Sequence, residues 1–147
     1  MLKDNFIKLA QQEKKILNQI KAKKSNCVVN YYHLEEDTGT EYVYLILDLC
    51  EESLESFVQS SSLYDLQKSL PKILRQVLKG LADLHSDPHP ILHRDLKPSN
   101  VFRDAQGKFL IADFGMSQIL KNESSTLKSG TKMGAGYWIA PESYCKD

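Results

Sequence analysis

Apolar residues at Phe6, Leu9, Ala10, Ile16, Leu17 and Ile20 recur at three- and four-residue steps. That period, near 3.6, predicts an amphipathic first helix with Asp4 or Asn5 as its cap. Glu13 interrupts the stripe from within, four residues after Leu9 and three before Ile16. A carboxylate on a packing face is costly to bury without a cation. Two readings stand: an acid at the stripe's edge bridged to a surface lysine, or one met by a specific lysine elsewhere. Val28 to His33 and Tyr42 to Leu47 are rich in β-branched and aromatic residues and read as strands, with Asp37-Thr38-Gly39 turning between them. The unbroken apolar run at 42–47 fits a strand covered on both faces.

Glu51 to Gln59 reads as a short helix, followed by a serine loop at Ser60 to Ser62. A second long helix is expected from Pro71 to His85, with Pro71 in the first turn and a stripe of Ile73, Leu74, Val77, Leu78, Leu81 and Leu84. Asp87-Pro88-His89-Pro90 ends it. Short strands follow at Ile91-Leu92, Val101-Phe102 and Phe109 to Ile111, the last two joined by a turn at Gln106-Gly107. From Met116 onward the chain is polar and is expected to form a mobile surface segment.

Composition narrows the class without naming an activity. Of 147 residues, 41% are hydrophobic and 26% charged, enough apolar material for a core. Nineteen basic residues balance nineteen acidic ones, so charge points to neither a nucleic-acid nor a membrane partner. Lys3, Asp4 and Lys8 exclude a signal-peptide apolar region at Met1 to Ala10, and the longest apolar run is too short to span a bilayer. Three cysteines (Cys27, Cys50 and Cys145) without metal-ligand spacing point to a reduced, intracellular setting.

The chemistry is carried by three short motifs. His93-Arg94-Asp95-Leu96-Lys97-Pro98-Ser99-Asn100 precedes Asp113-Phe114-Gly115, and Ala140-Pro141-Glu142 follows. This series resembles the catalytic loop, metal-binding motif and activation-segment end of the protein kinases, a signature set already established for that family. Lys97-Pro98 resembles the serine/threonine type. The resemblance implies Asp95 and Lys97 as catalytic residues, Asp95 accepting the hydrogen bond of the acceptor hydroxyl and Lys97 sitting near the γ-phosphate. It implies Asn100 and Asp113 as oxygen ligands of Mg²⁺, with ATP as the other cofactor. Arg94 would grip a phosphorylated activation loop, with Ser124, Ser125, Thr126 and Ser129 as candidate phosphoacceptors.

By the same resemblance the first helix corresponds to the kinase αC helix, and Glu13 pairs with the ATP-binding lysine of the preceding strand. Leu47 is then the gatekeeper, and the backbones of Asp48 and Cys50 meet the adenine. Cys50 remains open between a plain buried thiol and a reactive one. The fold class implied is α+β, a partial bilobal protein-kinase fold running from αC through the activation segment. Residues 1–147 would form a partial kinase domain: about 1–47 an N-lobe remnant, 48–52 the hinge and 53–147 a partial C-lobe.

Asn30-Tyr31-Tyr32, Asp48-Leu49-Cys50 with Leu54 and Val58, and Tyr137-Trp138-Ile139 resemble the unfolded-protein-response sensor kinase/endoribonucleases of the endoplasmic reticulum. That resemblance implies a cytoplasmic-side domain of a membrane-anchored parent, a protein substrate, and a homodimer for trans-autophosphorylation.

The family pattern is broken in places. The glycine-rich loop and the strand lysine are not found, Lys3 lies too near Glu13 to serve, and Glu142 lacks its arginine. Ala135 stands where a threonine is usual. Residues 1–147 alone are therefore expected to catalyse weakly or not at all and to aggregate through uncovered apolar surface. A second reading is a catalytically impaired, nucleotide-responsive or dimerisation module, regulating for example an attached ribonuclease.

Overall fold

The computed structural model describes residues 2–36, 39, 42–120 and 137–141. Helix α1 (Leu2–Lys23) leads into the antiparallel pair β1 (Tyr31–Glu36) and β2 (Val43–Leu47). The short strand β3 (Glu52–Ser53), helix α2 (Leu54–Ser60) and helix α3 (Leu63–His85) follow. Next come β4 (Ile91–Leu92), a 3₁₀ turn at Pro98–Asn100, β5 (Val101–Arg103), β6 (Phe109–Ile111) and β7 (Gln118–Ile119). The architecture is the expected α+β one.

Burial explains the assembly. Ile16, Leu17 and Ile20 of α1 meet Val28, Val29 and Tyr31, Leu84 of α3, and Ile91, Ile111, Ala112 and Phe114 in one buried cluster. Leu34, Leu45 and Leu47 flank it from the β1–β2 pair. Those three lie on one face of the ladder, as a period of two requires. A smaller cluster of Ile73, Val101 and Phe109 is closed by Leu54, Phe57, Val77 and Leu96.

Sheet β3-β5-β6 gains a further backbone partner from residues 27–29. Val29 N donates to Ile111 O at 2.9 Å, and Ile111 N donates to Cys27 O at 3.0 Å. The chain at Cys27 can approach so closely because α3 offers Gly80 there. A Cβ at Gly80 would lie 2.7 Å from Cys27 O and 2.9 Å from Ile111 Cδ1.

Several elements differ from the sequence reading, each for a local reason. Helix α1 already runs at Leu2, so Asp4 and Asn5 lie inside it and do not cap it. Helix α3 begins at Leu63, eight residues before Pro71, which is therefore an interior proline. Ser62 caps it: its Oγ accepts from Asp65 N at 3.2 Å and donates to Asp65 Oδ2 at 2.6 Å. Of the serines read as loop, Ser60 ends α2, Ser61 follows as its C-cap and Ser62 caps α3, while Ser53 caps the start of α2 by accepting from Ser56 N.

Glu52 and Ser53 are strand rather than helix. Glu52 ion-pairs Arg103 at 2.6 Å, and that guanidinium also lies 5.2 Å from the Phe57 ring centre. The strand expected at Val28 to His33 divides into a single bridge at Val28 and a strand starting at Tyr31. Met116 does not open a purely polar surface stretch, since Gln118 and Ile119 pair with Leu92 and Ile91. The stripe on α3 also splits: Ile73 and Leu84 are buried, whereas Leu74 and Leu78 join Leu63, Tyr64 and Leu70 on an exposed flank.

Candidate active site

Two loops converge on Asp95. Strand β4 delivers His93, Arg94 and Asp95, and the 3₁₀ turn sets Asn100 opposite them. Asn100 is buried, and its Nδ2 donates to Asp95 O at 2.8 Å and to Asp95 Oδ2 at 3.0 Å. Lys97 Nζ lies 2.9 Å from the same Oδ2. Burial pushes the Asp95 carboxyl upward, but hydrogen bonds from Lys97 and Asn100, with the lysine's charge, outweigh it and hold the group below its ordinary value. Asp95 is thus an oriented, ionised acceptor.

His93 braces the loop from beneath. Its ring is buried, with Nε2 2.8 Å from Ala112 O and Nδ1 accepting from Asp95 N at 3.3 Å. Those partners require the neutral form carrying its proton on Nε2. Burial lowers its pKa, opposed by the Ala112 hydrogen bond and the charges of Asp113 and Asp95. Phe114, itself buried, meets the ring edge-on at 5.1 Å, and Ser117 Oγ donates to His93 O at 3.0 Å.

Asp113 reaches the site from the second loop. Ala112 N donates to Asn100 O at 2.9 Å, which ties the residue before Asp113 to the 3₁₀ turn. Asp113 is exposed, adopts a left-handed φ of 62° and accepts from Gly115 N at 3.3 Å. Arg94 shares that backbone region at φ 68°, a conformation costing about 1–3 kcal/mol for such a residue. Its Nη1 donates to Gln118 Oε1 at 3.0 Å.

Asn100 spends its NH₂ on Asp95, which leaves its amide oxygen as an acceptor, and Asp113 adds an exposed carboxylate. The donor set fits Mg²⁺, which takes oxygen ligands and keeps few protein groups, completing its shell with phosphates and water.

The other expected site residues lie around this centre. Glu13 on α1 is half-buried; burial raises its pKa, and the nearby charge of Asp113 adds to the effect. Leu47 ends β2, half-buried against the main cluster. Asp48 and Cys50 follow, with Asp48 N committed to Asn30 O at 3.1 Å. The Cys50 thiol is pushed up by burial and by the charges of Asp48 and Asp104, so the plain-thiol alternative is the better supported. Ser124, Ser125, Thr126, Ser129, Ala135, Glu142 and Cys145 lie outside the described residues, as do Asp37 and Thr38 of the expected turn. Sequence reading gave no contact role to Gln118 or Ser117, nor to Asn30 and Tyr32 beyond the subfamily resemblance, because their contacts depend on partners distant in the chain.

An ionised acceptor held by a lysine and an amide, beside an exposed aspartate on a second loop, can position a hydroxyl against an anionic group screened by a divalent cation. Comparison with known proteins agrees with that class. A family model for the protein kinase domain matches residues 2–146, and the chain belongs to that family. It is similar to the serine/threonine-protein kinase pakH of Dictyostelium discoideum, with 39% identity over 67% of this chain and 18% of the relative. It is also similar to the serine/threonine-protein kinase Nek2 of Mus musculus, with 31% identity over 91% of the chain and 32% of the relative. A third relative is the serine/threonine-protein kinase/endoribonuclease ireA of Aspergillus fumigatus, with 36% identity over 80% of the chain and 11% of that protein. The chain thus spans no more than about a third of the length of these curated relatives. No helix among the described residues is long and apolar enough to cross a membrane.

Proposed function

We propose that this chain supplies the phosphoryl-transfer centre of a protein serine/threonine kinase, moving the γ-phosphate of ATP to a serine or threonine hydroxyl. The observation that carries the reading is the three-residue lock of Asp95 by Lys97 and Asn100 at 2.8–3.0 Å. Asp95 orients the acceptor hydroxyl and takes its proton as the oxygen attacks. Lys97, paired with Asp95 at 2.9 Å, would meet the transferring group. Asn100 and Asp113 would hold Mg²⁺, which, bound with the nucleotide, offsets charge on the phosphates.

Leu47 would border the adenine, and the Asp48 carbonyl and Cys50 backbone would hydrogen-bond its edge. Burial and the charge of Asp113 raise the Glu13 pKa, and the strand lysine that the family resemblance implies would oppose that shift. The cytoplasmic face of the endoplasmic reticulum and a homodimer belong to the same proposal and rest on the subfamily resemblance carried by Asn30-Tyr31-Tyr32, Asp48-Leu49-Cys50 and Tyr137-Trp138-Ile139.

The test is transfer from γ-labelled ATP in the protein as the cell makes it, comparing wild type with Asp113→Ala. Loss of Mg²⁺-dependent transfer in the variant is expected. Unchanged transfer would remove Asp113 from the metal site. Nucleotide binding without transfer in the wild type would favour the nucleotide-responsive module.

A further inference from the structure

We propose that Asn30 and Tyr32 are positioning residues for the adenine-binding segment 48–50, acting through the Asp48 carboxylate. The inference rests on the nucleotide-site reading above and concerns residues outside it. Three donors converge on that carboxylate. Asn30 N and Asn30 Nδ2 each donate to Oδ2 at 2.9 Å, and Tyr32 OH donates to Oδ1 at 2.7 Å. In return Asp48 N donates to Asn30 O at 3.1 Å, so the two residues are bonded in both directions, one way through the Asp48 side chain. The hydrogen bond to Asp48 is also the chief cause of the raised phenol pKa of Tyr32.

Packing does not hold this segment from behind. A cavity of about 190 Å³ lies there, with Asn30, Asp48 and Leu49 on one side and Asp104, Gln106 and Lys108 on the other. Such a polar space has room for several waters. The side chain of Leu49 is 92% exposed and anchors nothing. Segment 48–50 therefore depends on directed hydrogen bonds to the Asp48 carboxylate, an acceptor that takes stronger and more orienting bonds than a neutral group.

Tyr32 reaches Asp48 because β1 is irregular there. Tyr31 pairs with Leu47 and His33 with Ile46, so Tyr32 has no partner of its own in the ladder. An extra residue of this kind bends a strand and re-aims its side chain. The consequence is a tether that fixes the tilt of Asp48, and with it the directions of the Asp48 carbonyl and the Cys50 N–H. A one-residue change in that tilt alters adenine contacts while leaving the phosphate-handling residues in place.

The test is calorimetric titration with Mg·ADP and, separately, with Mg·tripolyphosphate, which has no base. In Tyr32→Phe/Asn30→Ala the expected result is an ADP affinity weakened about tenfold with tripolyphosphate binding changed less than about twofold. Tyr32→Phe alone, at a half-exposed residue that leaves the fold intact, should weaken ADP about threefold. Equal ADP affinity in wild type and variants would overturn the tether alone. Parallel loss of both ligands with a lowered melting temperature would show a merely structural role and overturn it too. Wild type that binds no ADP would overturn the nucleotide-site reading together with the tether.

Discussion

Replacing Gly80 by alanine should destabilise the protein even though alanine is the better helix former. In an exposed helix the exchange gains about 1 kcal/mol. Here the new methyl would sit 2.7 Å from Cys27 O and 2.9 Å from Ile111 Cδ1. The Ile111 terminus can rotate away, but Cys27 O is backbone and accepts the Ile111 N–H at 3.0 Å. Making room means moving residues 27–29 off β6 and stretching that bond. Overpacking costs about 1–3 kcal/mol, and a weakened buried hydrogen bond adds about 1–3 kcal/mol. The clash therefore outweighs the propensity gain, for a net loss of about 1–5 kcal/mol. At about 2–4 °C per kcal/mol, the melting temperature should fall by roughly 2–20 °C. Thermal unfolding of wild type and Gly80→Ala, with Lys79→Ala as a surface control expected within about 0.5 kcal/mol, measures it. A rise in stability of the size given by propensity alone would refute the close approach at Cys27.

Other consequences are more direct. Leu17 is 1% exposed at the centre of the main cluster, so Leu17→Ala should cost about 2–5 kcal/mol in urea unfolding; a loss below 1 kcal/mol would contradict its placement. His93 is held neutral by burial, so its folded pKa lies below the ordinary 6.5. On unfolding it regains the ordinary value and takes a proton as pH falls through that region. Its contribution is thus fully present above about 6.5 and lost as pH drops toward the lower folded value. Unfolding free energy should decline from pH 7.5 to 5.5, and less steeply in His93→Gln; an identical decline would assign the titration to another group.

How much of this was legible in the sequence depended on how local the determinants are. The α1 stripe of Ile16, Leu17 and Ile20 is set by periodicity, and its burial follows it. The run at 42–47, read as covered on both faces, is covered on one only: Leu45 and Leu47 pack on the core, while Tyr42, Tyr44 and Ile46 are exposed. The loop at His93 to Asn100 was legible because its partners lie within eight residues of one another. Pro71 misled, since a proline signals a helix start only where no earlier cap competes, and Ser62 with Asp65 forms that cap. Strands β3 and β7 are two residues each, too short to carry a period, and exist through pairing with β5 and β4. The tether of Asp48 depends on an irregular residue in β1, and the Arg94–Gln118 bond spans 24 positions. Neither leaves a pattern along the chain.

The most direct test of the central claim is single-turnover transfer of the γ-phosphate with Asp95→Asn, made in the protein as the cell produces it. Asparagine keeps the shape of the side chain but loses the charge that pairs with Lys97 and the capacity to take a proton. The account predicts nucleotide affinity within about threefold of wild type and a transfer rate lower by about 10²–10⁴-fold. A transfer rate unchanged by the substitution would contradict it, because the group locked between Lys97 and Asn100 would then not be the one that meets the acceptor hydroxyl.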